Sequence, residues 1–443
     1  MPGGRSSKPD RVRAATLPPV TIVADRVAAL TWWARPGLRA QAGRLEIAGR
    51  DAEGLAREHG TPLFAYDLER FAENARRLLD AFERAGLRHR LRFALKANPD
   101  PIVLATLRPL VGLDACSPGE VERALECGWH AAEVSVTATN LSDRDLDRIL
   151  PTGAHLNLDA VSQIERAGRR LAALGLPPRP IGLRINPGAG AGYNERLAYS
   201  GARPTKFGIY PDRVEEAVAA AGRHGLTIDT VHVHAGSGWL AEGIGSFEES
   251  LGRVVAVARR LIADGHPIAE LNVGGGLGVP ARADERPVDP DAYVGAIARQ
   301  TAGLDVVVAS EPGDFIAKDA AILLAEVVTV EERAGTTFVG LDVGWNVNCS
   351  HFIYGYAQEL VVCRAADAPR STTVTVAGHI NEAGDLFASD YALPPVEEGD
   401  IVALLNAGGY HQAMSSTHCL RPHAPGLFLA RDGGADPPGD RPS

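Results

Sequence analysis

The chain has 443 residues, 45% hydrophobic and 23% charged, with a formal net charge of −10. That length suits two domains of roughly 100–200 residues each, and the acidic balance argues against a nucleic-acid-binding protein, which usually presents a basic face. No run approaches the ~18 consecutive apolar residues that cross a bilayer as a helix.

Residues 1–20 are polar, basic and rich in Pro and Gly. They lack the apolar core of a secretory signal and read as a flexible tail. Residues 21–60 read as a segment packing on a later β domain, with the stretch from VTIVADR (20–26) to RLEIAG (44–49) supplying a strand to it. The five cysteines are scattered without a C-x-x-C pair. That pattern predicts reduced thiols in a cytoplasmic protein and no metal site.

Between residues 61 and 320 short apolar runs alternate with helix-like stretches. The runs are LRFALK (91–96), VGLDAC (111–116), EVSVTAT (133–139), HLNLDA (155–160), IGLRIN (181–186), TVHVH (230–234), ELNVGGG (270–276) and VVVASEP (306–312). SPGEVERALECG is the clearest helix: Ser117 suits the N-cap, Pro118 the first turn, Glu120 the capping-box acid and Gly128 the stop. PDRVEEAVAAAGRHG is another, with Val214, Ala217, Val218 and Ala221 on one face. Eight such units predict an α/β fold, a (β/α)8 TIM-like barrel; an open doubly wound sheet alternates in the same way. Residues 321–430 change texture. ILLAEVVTV, TTFVGLDV, ELVVCR, TTVTVAG and DIVALLNAG predict a C-terminal β-rich domain, and residues 431–443 read as a second flexible tail.

A parallel barrel carries its chemistry at the C-terminal ends of its strands. Those ends hold Lys96, Asp114, Thr139, Asp159, Arg184, His234 with Ser237, Gly274 to Gly276, and Glu311. Asp114 and Asp159 also suit strand-end or capping roles, and Arg184 a structural ion pair. Taken together they suggest one ligand. A lysine made less basic by burial condenses with an aldehyde. Three glycines let backbone N–H groups approach a phosphate. An imidazole can lie flat on a ring, and a carboxylate can pair with a protonated pyridine nitrogen. Aldehyde, ring, nitrogen and phosphate describe pyridoxal 5′-phosphate.

The motifs ALKAN (94–98), LDACSPGE (113–120), LRINPG (183–188), KFGI (206–209), HVHAGSG (232–238), VGGGLG (273–278), EPG (311–313), NEAGD (381–385) and AGGY (407–410) resemble those of fold-type III pyridoxal-phosphate enzymes, the diaminopimelate/ornithine decarboxylase group. The resemblance covers roughly residues 60 to 425. It implies a barrel paired with a β domain, as in the alanine racemase and decarboxylase fold. It also implies that Lys96 bonds the cofactor aldehyde, His234 stacks on the ring, and Glu311 meets the pyridine nitrogen. Ser237, Gly274, Gly275, Gly276 and Tyr410 would hold the phosphate, with Asp114, Arg184 and Gly313 completing the cofactor site. The family works as a head-to-tail homodimer, so the NEAGD loop with Asn381 and Glu382 would reach the partner's site. Asp314, Tyr354, Glu382 and Tyr410 would face the substrate.

Three departures from the family pattern bear on substrate and mechanism. Arginine normally follows Glu-Pro-Gly, where this chain has Asp314; a second family arginine aligns with Ser350; and the family's loop cysteine, which helps protonate Cα, is Asn381. A distal carboxylate without a cation is strongly disfavoured, and Asp314 would repel it. The resemblance therefore implies decarboxylation of an amino acid or derivative other than meso-diaminopimelate, in a specialised pathway, with the substrate free or carrier-bound; His351 or Arg421 could instead restore the charge. Asparagine cannot ionise, which leaves Cα protonation to His379, His351 or Tyr410, and Glu382 available as an acceptor or proton carrier. Asn381 also keeps racemisation or condensation open as alternatives. A non-catalytic binding protein is the third reading, against which the intact Lys96, His234, glycine triplet, Glu311 and Tyr410 weigh.

Overall fold

A computed structural model describes residues 30–431 apart from 202, together with 435–436. Most of the two terminal segments read as tails, and the stretch VTIVADR, lie outside the described residues. Residues 38–51 form a small antiparallel meander, β1 (Leu38–Gln41), β2 (Arg44–Ile47) and β3 (Arg50–Asp51). This meander is a sheet of its own, pairing with no strand of the β domain; its first turn meets that domain where the Ala366 N–H donates to the Gly43 carbonyl at 2.8 Å.

The eight expected barrel strands are all present. They are β5 (His89–Ala94), β6 (Gly112–Ala115), β7 (Val134–Thr137), β8 (His155–Leu158), β9 (Pro180–Arg184), β10 (Thr227–His232), β11 (Glu270–Asn272) and β12 (Val307–Ser310). They close into one barrel in chain order, every neighbouring pair parallel. The open-sheet alternative is thereby set aside. The helix Pro118–Glu126 starts as its sequence requires: Ser117 Oγ accepts from the Glu120 N–H at 3.2 Å. Glu120 turns one residue further back and accepts from the Cys116 N–H at 2.6 Å. The chain leaves this helix at Gly128, whose φ of +90° suits glycine.

One element differs from the sequence reading. β4 (Leu63–Asp67), inside the stretch read as barrel, pairs antiparallel with β13 (Ala321–Arg333) and parallel with β19 (Gly426–Leu429). LFAYD is apolar throughout and is buried on both faces, so its pattern resembles a barrel strand. The β domain also contains β14 (Thr336–Leu341), β15 (Leu360–Val362), β16 (Thr372–Ala377), β17 (Leu386–Leu393), β18 (Ile401–Leu404) and β20 (Ala435–Asp436). Part of the second tail is ordered: β20 pairs with β19, and Arg431 binds Asp67 at 2.9 Å.

The long strand β13 joins the two halves. Successive side chains point to opposite faces. Leu323, Ala325 and Val327 enter the barrel-side core, while Ile322 and Leu324 pack with Leu38, Leu45 and Ile47 of the N-terminal meander.

Candidate active site

The barrel's C-terminal ends and the β domain enclose a cavity of about 320 Å3, lined by residues of both. Lys96 follows β5 in a single 3-10 turn, Leu95–Ala97. Its Nζ lies 2.7 Å from Asp114 Oδ2 at the end of β6. The expectation of a less basic lysine is not met here. Burial lowers the pKa of the ammonium, but the Asp114 carboxylate outweighs burial and holds it well above the usual lysine value.

Glu311, just beyond β12, is 5% exposed. Its Oε2 lies 3.1 Å from His232 Nε2, and its Oε1 accepts from Asn272 Nδ2 at 2.5 Å. Burial alone would raise its pKa. His232, the nearby Arg92 guanidinium and Asn272 reverse that and hold the carboxyl well below the usual range. Arg92 is fixed in turn by Glu270 at 2.7 and 2.9 Å. Sequence reasoning passed over His232, although the alternation VHVH places it on the strand face that His234 follows.

His234 is buried, and burial followed by the Arg184 and Lys96 charges pushes its imidazole well below the ordinary value. A neutral ring of this kind suits stacking. Ser237 Oγ is 3.4 Å from His234 Nε2. Gly275 and Gly276 line the cavity, and their N–H groups make no hydrogen bond among the described residues. A Cβ on Gly275 would meet the Glu311 carbonyl at 2.2 Å, and one on Gly276 the Gly236 carbonyl at 2.0 Å. Gly274 does not line the cavity, because its N–H donates to Asn272 Oδ1 at 2.9 Å and its carbonyl accepts from Glu311 N at 2.7 Å. It shapes the turn and offers no free donor. Tyr410 lines the cavity from the β domain in the left-handed region, φ 61°, a conformation that costs a non-glycine residue about 1–3 kcal/mol. A Cβ on Gly313 would meet its hydroxyl at 2.4 Å.

Arg184 lines the same cavity, 6% exposed, stacked on Phe207 at 4.7 Å and without a hydrogen-bond partner among the described residues. An orphaned buried guanidinium, unused backbone N–H groups, a neutral imidazole, an ionised carboxylate and a lysine fit a flat, anionic aldehyde such as pyridoxal phosphate. Asp159 accepts from Thr139 Oγ1 at 2.6 Å and does not line the cavity.

Asp314 lines the cavity, but its charge is not free. Its Oδ2 accepts from the Tyr356 hydroxyl at 2.9 Å and lies 3.6 Å from Lys318 Nζ. Repulsion of a carboxylate by an unbalanced Asp314 is therefore corrected to a compensated pair. Tyr354 lines the cavity beside it, its phenol pushed up to about 12 by burial. Ser350 is buried and does not line the cavity. Asn381 and Glu382 are exposed and do not line this chain's cavity; Glu382 pairs with His418 at 3.2 Å. Asp385 holds that loop, accepting from the N–H groups of Trp345 and Ile380 at 2.8 and 2.7 Å. Of the expected proton carriers, Tyr410 lines the cavity and His351 and His379 do not. Among the described residues no group of three or more His, Cys, Asp or Glu side chains is placed to hold a metal ion, and no helix is long and apolar enough to cross a membrane.

A parallel barrel joined to a β domain, with a lysine and a phosphate cradle at the mouth between them, defines a fold-type III pyridoxal-phosphate enzyme. The family model for the pyridoxal-dependent decarboxylase, pyridoxal binding domain, matches residues 68–318. The chain is 36% identical over 404 residues to a diaminopimelate decarboxylase of Methanothermobacter thermautotrophicus, covering 89% of this chain and 92% of that one. It is 32% identical to one from Streptomyces coelicolor, covering 86% and 88%. The structure of a Helicobacter pylori diaminopimelate decarboxylase complexed with L-lysine superposes with a TM-score of 0.79 at 27% identity, covering 86% of this chain and 94% of that one. The chain belongs to the pyridoxal-dependent decarboxylases. It is an amino-acid decarboxylase that uses pyridoxal 5′-phosphate.

Proposed function

We propose that this enzyme decarboxylates an amino acid or amino-acid derivative other than meso-diaminopimelate, in a specialised biosynthetic pathway, with the substrate free or carrier-bound. The observation that carries this reading is Asp314, held beside Lys318 at 3.6 Å and Tyr356 at 2.9 Å on the cavity wall. That wall offers a distal carboxylate no uncompensated cation, and a buried carboxylate without one is costly.

When bound, pyridoxal phosphate supplies the electron sink for the pair left at Cα as carbon dioxide departs. Lys96 would bond its aldehyde, with Arg184 and Asp114 beside that end, and His234 would support the ring. Glu311 would keep a proton on the pyridine nitrogen. Gly275, Gly276, Gly313, Ser237 and Tyr410 would hold the phosphate. The enzyme works as a homodimer in which Asn381 and Glu382 complete the partner's site, an arrangement supported by their exposure and their separation from this chain's own cavity. With the Tyr410 hydroxyl given to the phosphate, Glu382 of the loop is the group that delivers a proton to Cα in place of the missing cysteine.

A screen of free D- and L-amino acids, acylated forms and meso-diaminopimelate, read by carbon dioxide release and product mass, tests the reading. Carbon dioxide and an amine from a substrate other than meso-diaminopimelate are expected. Inversion at Cα without loss of mass would move the assignment to the racemisation that Asn381 leaves open.

A further inference from the structure

Asp314 begins the short helix Asp314–Ala317, and Lys318 follows one turn later. Lys318 is 2% exposed, and its Nζ lies 2.9 Å from the centroid of the Tyr356 ring with no hydrogen bond to it. Lys318 does not line the cavity; Asp314, Tyr354 and Tyr356 do. The cation therefore sits behind the wall, shared between a carboxylate and an aromatic face. Burial brings its amine down to about 8 against the pull of Asp314, so it remains largely charged at neutral pH.

The charges on this side of the cavity sum to zero. Asp314 is balanced by Lys318, and the phenols of Tyr354, Tyr356 and Tyr410 are held above their ordinary value by burial. Lys96 is matched by Asp114. A substrate ammonium placed here would compete with Lys318 for one carboxylate, and a substrate carboxylate would face Asp314. On this wall either ion would be desolvated without a free counter-charge, the Arg184 guanidinium being assigned to the cofactor. A polar uncharged group escapes that penalty. Asp314 lines the cavity with its charge already balanced, so a donor such as an amide N–H or a hydroxyl meets its carboxylate without bringing a second ion, while the Tyr354 hydroxyl, 3.5 Å from Met414 Sδ, can turn to serve an acceptor.

We infer that the Asp314–Lys318 pair makes this wall charge-neutral, and that it selects substrates whose side chain ends in an uncharged hydrogen-bonding group such as a carboxamide or an acylated amine. This deepens the proposed decarboxylase reading by naming the substrate class, and it is tested without turnover.

The probes are 4-aminobutanamide, 4-aminobutanoate and 1,4-diaminobutane, with their five-carbon homologues. These amines have no α-carboxylate to lose, so titrating the holoenzyme and following cofactor absorbance reads binding alone. The amide should bind at least about tenfold more tightly than either charged amine. Lys318→Met leaves Asp314 uncompensated and should swing the preference by about tenfold or more towards the diamine. Asp314→Asn should swing it towards the carboxylate. The double variant, neutral again and free of a buried unpaired ion, should restore the preference for the amide. A charged amine binding the wild type as well as the amide, or a missing or unselective response across the variants, overturns the inference. Should the amide preference and both swings appear while no amino acid releases carbon dioxide, the decarboxylase reading fails and the charge-neutral wall stands.

Discussion

Glu311 Oε2 and His232 Nε2 lie 3.1 Å apart, both side chains buried in the lining of the cavity. A carboxylate only accepts hydrogen bonds, so Nε2 carries the hydrogen. Burial pushes the imidazole below its ordinary value and keeps it neutral, despite the opposing pull of Glu311. The Glu311 pKa is lowered, so its charge is present above the ordinary carboxylate range and is lost only as pH falls through the depressed value. Across the neutral range it stays ionised. Glu311→Gln should therefore lower kcat by about 10- to 150-fold, the size of a charge-assisted hydrogen bond of about 1.5–3 kcal/mol, with a smaller change in KM. An unchanged kcat would remove Glu311 from the chemistry.

Acid should destabilise the fold through its buried histidines. His411 has Nδ1 2.9 Å from the Gly409 carbonyl and is pushed down to about 3 by burial. An unfolded histidine titrates near about 6.5. Below that value the unfolded chain binds a proton that the folded one refuses. Stability is thus complete above about pH 6.5 and falls by about 1.4 kcal/mol per pH unit as pH drops towards the folded value. Thermal unfolding at a series of pH values should show this fall, and His411→Gln should flatten it by about one proton. An identical slope in the variant would contradict the assignment.

The sequence exposed the barrel well because each strand is a short apolar run ending in polar or glycine residues, and the strand ends named the cavity. LFAYD is not singled out, and the boundary at residue 61 leaves it with the barrel, because a strand buried on both faces has the same pattern in either sheet. The buried pairs were harder to see. Lys318 sits in KDAA without any local mark of burial, although its i,i+4 spacing from Asp314 is visible. His232 was overshadowed by His234, two residues on. The aromatic wall of Tyr199, Phe207 and Tyr356 comes from segments far apart in the chain, and no local pattern joins them.

Tyr410 should anchor the cofactor through its hydroxyl. Tyr410→Phe keeps the ring and its left-handed backbone and should weaken pyridoxal phosphate binding by about 3- to 10-fold, one hydrogen bond. Gly313→Ala should weaken it further, because the added Cβ would lie 2.4 Å from that hydroxyl. Cofactor fluorescence during dialysis measures both. Equal retention by wild type and variants would place the phosphate elsewhere.

Lys96→Ala should lose turnover and the visible absorbance of the bound cofactor. Mixing it with Glu382→Ala, itself weakly active, should restore about a quarter of wild-type activity, since mixed dimers carry one site built from two intact halves. No recovery after subunit exchange would mean that each chain builds its site alone.

Asn381→Cys should speed protonation at Cα if the reaction is simple decarboxylation, seen as faster solvent deuterium incorporation into the product. A fall in activity would instead indicate altered chemistry at that loop.

The most direct test is kcat/KM for meso-diaminopimelate against the best substrate from the screen, by carbon dioxide release. A wall with Asp314 compensated by Lys318 and no free cation predicts a value lower by about 10³-fold or more, the cost of a buried unpaired charge at about 4 kcal/mol. Turnover of meso-diaminopimelate as the preferred substrate would contradict the account.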